Sequence, residues 1–146
     1  MSKNIVSTKT KFPVLGWIIL AVVLLAAAAF LLTNINAGGV QALAKEITPA
    51  QASQFQKDGS LLLDVRELDE WNAGHIPGAI LLPLGNLPSR LNEVPKDKKI
   101  VVVCRSGNRS ATGRDILLNA GYPLVTSMGG GMNKWTAAGL PVITGP

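Results

Sequence analysis

The residues best suited to do chemistry lie in the segment KIVVVCRSGNRSA, residues 99–111, which contains the only cysteine of the chain. An apolar run ends at Cys104, and a loop that contains Gly107 and two arginines, Arg105 and Arg109, follows it. Nearby arginines and a helix N-terminus lower the pKa of a thiol from its usual value of about 8.5. These residue types and their spacing therefore predict a nucleophilic thiolate at Cys104 near neutral pH.

The loop from Cys104 to Arg109 is expected to curl so that successive backbone N–H groups point inward. Gly107 and Asn108 are residue types that tolerate the positive φ that such a curl needs. A nest of amides binds an anion, and a helix predicted to begin near Ser110 would add its positive end. A lone cysteine after three valines is otherwise typical of a small buried apolar residue, but the arginines, the glycine and the helix start favour a function.

The surrounding sequence predicts strands that alternate with helices. Four short apolar runs predict buried strands at residues 61–63, 79–82, 100–103 and 124–126. Five segments predict helices, at residues 49–56, 67–73, 86–92, 110–120 and 132–138. This alternation is typical of an α/β fold with a small parallel β-sheet and helices on both faces. In such a sheet the ligand site lies beyond the carboxyl ends of the strands, where Cys104 is placed.

Charge and composition exclude several other classes of protein. Of the 14 basic residues, three precede the first apolar run, so 11 accompany all 9 acidic residues from Lys45 onward, a net charge of only +2. That charge is too small for a surface that follows nucleic-acid phosphates, so no nucleic-acid partner is predicted. A single cysteine excludes an internal disulfide and a multi-cysteine metal site. No phosphate-binding glycine motif is present either, and we predict no metal and no cofactor.

The N-terminal part predicts a membrane anchor. The run VLGWIILAVVLLAAAAFLL contains no charged residue, and its 19 residues would rise about 28 Å as a helix, close to the thickness of bilayer hydrocarbon. The alternative is a cleaved secretory signal, whose apolar stretch is usually shorter, roughly 7 to 15 residues. The predicted organisation is a basic tail at 1–13, a transmembrane helix or signal-anchor at 14–32, a linker at 33–44 and a folded domain at 45–146.

The distribution of lysines predicts the orientation of this anchor. Lys3, Lys9 and Lys11 precede the apolar run, and only Lys45 follows it closely. The positive-inside rule then keeps the N-terminus cytoplasmic and places the domain on the periplasmic or outer side of the membrane. The domain would be secreted to the periplasm if the segment is cleaved. The lipid bilayer is thus the predicted partner of residues 14–32, and the sequence identifies no protein partner.

An ordered set of motifs extends over nearly all of residues 45–142. The motifs are DVRE at 64–67, Trp71, GHIPGA at 74–79, the loop at 104–110, GGG at 129–131 with Trp135, and AGLPV at 138–142. In this order they resemble the rhodanese family. The resemblance implies a thiosulfate sulfurtransferase-like enzyme whose cysteine accepts a sulfane sulfur from a donor such as thiosulfate and passes it to cyanide or a thiol.

The resemblance also implies roles for the loop residues. Cys104 would be the catalytic nucleophile and would carry sulfur as a persulfide. The implied substrate-binding residues are Arg105, Ser106, Gly107, Asn108, Arg109 and Ser110. Phosphatases and arsenate reductases that look like rhodaneses place five residues between cysteine and arginine, whereas four residues separate Cys104 from Arg109. The smaller ring of N–H groups suits one sulfur atom better than a tetrahedral oxyanion.

Other interpretations stay open at this point. Asp64 follows a predicted strand and is a candidate base. A carboxylate beside a thiolate would, however, raise the pKa of the thiol. This argument favours a structural role for Asp64, either capping a turn or pairing with Arg66. His75, the only histidine, is a candidate partner of Cys104, but its Gly-His-Ile-Pro-Gly setting favours a structural role. A second functional hypothesis is a non-catalytic, membrane-tethered module that binds a protein or senses oxidants through Cys104.

Overall fold

The computed structural model describes residues 14–35 and 42–146, which fall into two compact units. The first unit contains helix α1 (Val14–Ile35), whose large apolar side chains, such as Trp17, Leu25 and Phe30, are exposed. Across the described ranges, no helix reaches both the length and the hydropathy needed to cross a membrane. The assignment of residues 14–32 to the bilayer stays a prediction, and the predicted basic tail at 1–13 lies outside the described residues.

The second unit is built on a sheet of five parallel strands. They are β1 (Glu46–Ile47), β2 (Leu61–Asp64), β3 (Ile80–Leu81), β4 (Ile100–Val103) and β5 (Val125–Met128). Their order is β1-β5-β4-β2-β3, and every neighbouring pair is parallel. The central strand β4 is buried along its whole length, and its carboxyl end leads directly into Cys104. The four predicted strands are confirmed, whereas β1 was not predicted because its two residues carry no alternating or continuous apolar pattern.

The helices of this unit are α2 (Pro49–Lys57), α3 (Leu68–Ala73), α4 (Asn108–Asn119) and α5 (Gly131–Ala137). Thr48 caps α2, because the Gln51 N–H donates to Thr48 Oγ1 at 3.3 Å. The helix predicted at 86–92 is wrong. That segment forms two short 3₁₀ turns, Leu87–Ser89 and Leu91–Glu93, separated by Arg90, whose backbone at φ −121° and ψ 25° is not helical.

Side chains that alternate along β4 enter two separate apolar cores. Ile100 and Val102 pack in one core with Leu117 of α4, and Val101 and Val103 pack in the other with residues of α2 and α5, including Trp135. The sheet is therefore covered on both faces, as predicted. Each fully buried aliphatic side chain stabilises the fold by roughly 1.5–3 kcal/mol relative to an exposed one. Because all four residues of β4 are buried, this packing holds β4, and Cys104 after it, in one position.

Candidate active site

The loop that follows β4 closes around the sulfur atom of Cys104. The side chain of Cys104 is buried, and the Gly107 N–H donates to its Sγ at 3.1 Å. The Ser110 hydroxyl lies 3.6 Å from the same Sγ and donates to the Gly107 carbonyl oxygen at 2.7 Å. The only thiol of the chain is thus held against polar groups at the carboxyl edge of the sheet.

The surroundings of Cys104 change its pKa in opposite directions. Burial is the largest single influence and raises the pKa of the thiol. The hydrogen bond between Cys104 and the Ser110 hydroxyl, and those from the backbone N–H groups of Ser110, Gly107 and Ser106, lower it. The hydrogen bonds outweigh burial, so the pKa of Cys104 lies below its ordinary value. The predicted stabilisation of a thiolate by backbone amides therefore has a structural basis.

The turn into α4 brings these donors together. Gly107 lies at the N-cap with φ +108°, in the left-handed region that favours glycine, and a Cβ there would lie 3.1 Å from the backbone nitrogen of Gly130. Helix α4 begins at Asn108, two residues earlier than predicted. Among the described residues only glycines have positive φ, so the expectation was right for Gly107 and wrong for Asn108. The first N–H groups of a helix have no partner within it, and this leaves the Ser110 N–H free to reach the sulfur.

The start of α5 holds the outer side of the loop. The Met132 N–H donates to the Cys104 carbonyl oxygen at 2.8 Å, and the Asn133 N–H donates to the Arg105 carbonyl oxygen at 3.0 Å. Because these carbonyl groups point toward α5, the N–H groups further along the loop are free to face the sulfur. Gly131 makes the approach possible, since it has φ +56° and any Cβ would overlap the Cys104 carbonyl oxygen. The glycine motif at 129–131 therefore lets the start of α5 pack against the backbone of the cysteine loop.

The two loop arginines have different surroundings. Arg109 is half-buried and donates through both terminal nitrogens to the Glu70 carboxylate, at 2.7 Å each. The hydrogen bond from Arg109 is the main reason that the pKa of Glu70 falls from 4.5 to about 2. Arg105 is exposed at the rim of the loop. In residues 14–35 and 42–146, no ion pair involves the Arg105 guanidinium.

Glu70 was missed in the sequence. It lies 39 residues before Arg109, and nothing in the pattern of α3 identifies its partner. The available signal was topological, since α3 follows β2, and β2 is the strand that pairs with β4 next to the loop. Of the remaining predicted residues, Ser106 and Asn108 have exposed side chains, and Ser106 reaches Cys104 through its backbone N–H.

Comparisons with known proteins agree with this arrangement. The sequence profile of the rhodanese-like domain matches residues 48–138. The chain belongs to the rhodanese family. A sulfurtransferase from Allochromatium vinosum is 38% identical over 103 residues, which are 69% of this chain and 96% of that protein. A thiosulfate sulfurtransferase, GlpE, from Pseudomonas syringae is 34% identical over 91 residues, which are 62% of this chain and 86% of GlpE.

Solved structures agree as well. The crystal structure of a rhodanese-related protein from Thermoplasma volcanium is 32% identical to this chain and superposes with a TM-score of 0.64. The match covers 68% of this chain and 98% of that protein. The chain is therefore a rhodanese-like α/β protein with sulfurtransferase relatives.

Asp64, the last residue of β2, and Arg66 form a buried ion pair in this rhodanese domain. Asp64 is buried and accepts hydrogen bonds from Arg66 Nε at 2.9 Å and from Arg66 Nη2 at 2.7 Å. Arg66 Nη2 also donates to the Gly74 carbonyl oxygen at 2.8 Å, which ties the end of β2 to the end of α3. The predicted pairing of Asp64 with Arg66 is confirmed. Both oxygens of the carboxylate accept from Arg66, as a structural ion pair would require.

His75 also has a structural position. Its ring is buried and stacks on Trp71, with 3.6 Å between ring centroids and an interplanar angle of 9°. Its Nδ1 lies 3.0 Å from the Trp71 carbonyl oxygen, and its backbone forms an antiparallel bridge with Ile143. The structural interpretation of His75 is therefore favoured over a pairing with Cys104.

Proposed function

We propose that the protein is a thiosulfate-type sulfurtransferase that carries sulfur on Cys104 as a persulfide. The observation that carries this proposal is the set of donors around Cys104 Sγ, namely three backbone N–H groups and the Ser110 hydroxyl, which lower the pKa of the thiol. A thiolate at neutral pH is the nucleophile that attack on a sulfane sulfur requires. The sulfurtransferase names of two relatives, one of them a thiosulfate sulfurtransferase, support the same chemistry.

The proposed reaction has two balanced steps. In the first, the Cys104 thiolate attacks the outer sulfur of thiosulfate, a sulfur–sulfur bond forms, and the bond to the central sulfur breaks to release sulfite with its electron pair. In the second, cyanide or a thiolate attacks the outer sulfur of the persulfide and releases the Cys104 thiolate. The enzyme-bound anion lies on sulfur in both resting states, so the same N–H groups stabilise the thiolate and the persulfide.

The loop side chains have distinct roles in this scheme. Arg105 attracts the dianionic donor, because its guanidinium is exposed at the rim and its charge is free to act on an approaching anion. Arg109 stabilises the departing sulfite, and Glu70 fixes its orientation through two hydrogen bonds of 2.7 Å. Gly107 and Ser110 surround the sulfur itself, and Ser106 adds a backbone N–H.

Turnover of thiosulfate and cyanide to sulfite and thiocyanate tests this proposal. The wild-type chain is expected to produce both products in equal amounts, and Cys104→Ser is expected to produce neither. Arg105→Ala and Arg109→Ala should each lower kcat/KM by roughly tenfold to a hundredfold, the effect of losing one hydrogen bond to a charged group. Turnover that persists in Cys104→Ser would refute the assignment. Arginine variants that keep thiosulfate turnover unchanged but abolish capture of a protein partner would instead favour a binding module.

We also propose that residues 14–32 anchor the protein in a membrane, with the domain on the periplasmic side. Support comes from the uncharged sequence of this segment, from the lysines before it, and from the exposed apolar side chains of α1. The expected result is a full-length protein that resists alkaline extraction from membranes and is digested by protease in spheroplasts. A mature chain that lacks residues 14–32 would contradict the anchor. A domain that is protected from protease in spheroplasts would contradict the proposed orientation.

A further inference from the structure

Exposed lysines gather at the edge of the sheet where its strands begin, opposite the edge that holds Cys104. Because all the strands are parallel, the segments that precede them meet at this edge. One lysine precedes β1, another ends α2 before the turn into β2, and the loop before β4 contains three more. We call this surface the lysine edge, and its residues are Lys45, Lys57, Lys96, Lys98 and Lys99.

Contacts between these segments show that they converge. Lys96 Nζ lies 5.0 Å from the centre of the Tyr122 ring, which precedes β5, and donates to the Ala120 carbonyl oxygen at 3.3 Å. Lys99 Nζ lies 5.7 Å from the centre of the Phe55 ring in α2. Cation–π attraction to these rings holds both ammonium groups at the edge. The loop before β4 therefore presents its charges beside the end of α2 and the start of β5.

The charge of the lysine edge is not balanced by neighbouring carboxylates. Two acidic residues, Asp58 and Asp97, lie in the same segments, so the edge has a net charge of +3. Residues 45–146 as a whole have a net charge of +2, which leaves −1 for the remainder of this unit. Among residues 14–35 and 42–146, no ion pair includes a lysine. The positive charge of the unit is therefore concentrated at one edge.

The lysine edge is also where the chain enters this unit from the proposed anchor. The strand register places Ala44 level with Ile100, the first residue of β4. The Thr126 hydroxyl holds this entry point by donating to the Ala44 carbonyl oxygen at 2.7 Å. Ten residues, 36–45, separate α1 from β1 in the sequence, and ten residues span at most about 36 Å. A bilayer that holds residues 14–32 would therefore lie within reach of the lysine edge.

We infer that the lysine edge binds the surface of an anionic phospholipid bilayer. This inference rests on the proposed anchor and is independent of the proposed sulfur transfer. The ammonium groups lie against anionic headgroups, which attract each nearby lysine. Cys104 lies five residues beyond Lys99, at the other end of β4, and five residues of a strand span about 17 Å. Docking on the lysine edge therefore turns the Cys104 loop away from the bilayer and leaves it open to dissolved donors and acceptors.

Nanodiscs with a spin label on a small fraction of their lipid headgroups test this orientation. The full chain is inserted into discs of phosphatidylcholine alone or mixed with phosphatidylglycerol, and its backbone amide signals are followed by NMR. Signals of residues 57–60 and 96–99 are expected to weaken more in the anionic discs, and added salt should reverse the difference because it screens the lysines. Signals of residues 105–110 should stay strong in both. Equal weakening of the lysine edge in both discs, or stronger weakening of the loop, would overturn the inference.

Single substitutions test the role of the lysine charges. Lys57→Gln and Lys98→Gln each remove one exposed charge from the lysine edge. Each is expected to lower the ratio of docked to undocked domain in the anionic discs roughly fivefold, the effect of one lysine near an anionic surface. Lys134→Gln is the matched control, because Lys134 is an exposed lysine of α5, which begins at the opposite edge of the sheet. An equal loss in Lys134→Gln would show a response to total charge and refute the role of the lysine edge.

The same samples separate failure of this inference from failure of the other proposals. If the full chain leaves neutral discs during gel filtration but stays with anionic discs, and both lysine variants weaken that retention, the lysine edge stands and the anchor is wrong. Thiosulfate turnover in the discs tests the sulfur transfer separately, and Lys57→Gln and Lys98→Gln are expected to keep it. If the signals of the lysine edge respond to soluble polyglutamate but not to anionic discs, the partner is an acidic protein and the lipid inference is wrong.

Discussion

Replacement of Ser110 by alanine tests how the loop stabilises the Cys104 thiolate. The Ser110 hydroxyl lies 3.6 Å from Cys104 Sγ and is shared with the Gly107 carbonyl oxygen at 2.7 Å. A hydrogen bond to a charged group contributes about 1.5–3 kcal/mol, and the long, shared geometry places this one at the lower end. A loss of about 1.5 kcal/mol decreases the ratio of thiolate to thiol roughly tenfold at a pH below the pKa.

The ultraviolet absorbance of the thiolate provides the assay. Cys104 is the only cysteine, so the difference between each protein and its Cys104→Ser counterpart reports on this thiol alone. Ser110→Ala is expected to move the titration to higher pH, because removal of a stabilising donor raises the pKa of Cys104. Ser106→Ala is the matched control, since the Ser106 side chain is exposed and its backbone N–H, which stays in place, makes the contact.

Two outcomes would refute this reasoning. If Ser110→Ala titrates like the wild type, the hydroxyl does not stabilise the thiolate. If Ser106→Ala moves the titration as far as Ser110→Ala does, the stabilisation comes from side chains in general and not from the backbone amides and the single hydroxyl that contact Sγ.

Three further predictions concern Glu70, Gly131 and Asp64. Glu70→Gln should lower the free energy of unfolding by about 1 kcal/mol at neutral pH. Because the pKa of Glu70 is lowered from 4.5 to about 2, this difference in stability should be complete above pH 4.5 and vanish as the pH falls toward 2. Denaturant titrations at several pH values will check it. Gly131→Ala should abolish thiosulfate turnover, because the new Cβ would overlap the Cys104 carbonyl oxygen. Gly139→Ala is the control: Gly139 also has a positive φ, but no atom lies near the position of its Cβ. This control should lose only about 1–2 kcal/mol of stability and keep its turnover. Asp64→Asn should lower the free energy of unfolding by about 3–5 kcal/mol because it leaves Arg66 buried without its charge partner; a loss below 1 kcal/mol would contradict the role given to this pair.

Much of the fold was predictable, because the apolar runs and helix-ending glycines in the sequence coincide with the buried strands and helix ends of the structure. The apolar run Ile100–Val103 is buried on both faces of the sheet, which is why it reads as a continuous run and not as an alternation. Gly121, with φ +81°, follows the end of α4 as expected of a helix stop. Strand β1 was not predictable, since two residues contain no pattern, and its position depends on pairing with β5 across the chain.

The site was predictable only in its local part. Cys104, Gly107 and Ser110 lie within seven consecutive residues, so the sequence alone shows that one loop holds them. The contacts of Glu70 with Arg109, and of Met132 with the Cys104 carbonyl oxygen, join segments far apart in the chain. Such contacts depend on how α3 and α5 pack beside the sheet, and no short-range pattern encodes them.

The intact mass of the full chain after exposure to thiosulfate tests the central claim most directly. Wild-type protein is expected to gain the mass of one sulfur atom, to release one equivalent of sulfite, and to lose the added mass when cyanide is supplied. Cys104→Ser is expected to gain nothing under the same conditions. An unmodified wild-type chain, or an equal gain in Cys104→Ser, would contradict the account of Cys104 as the sulfur carrier.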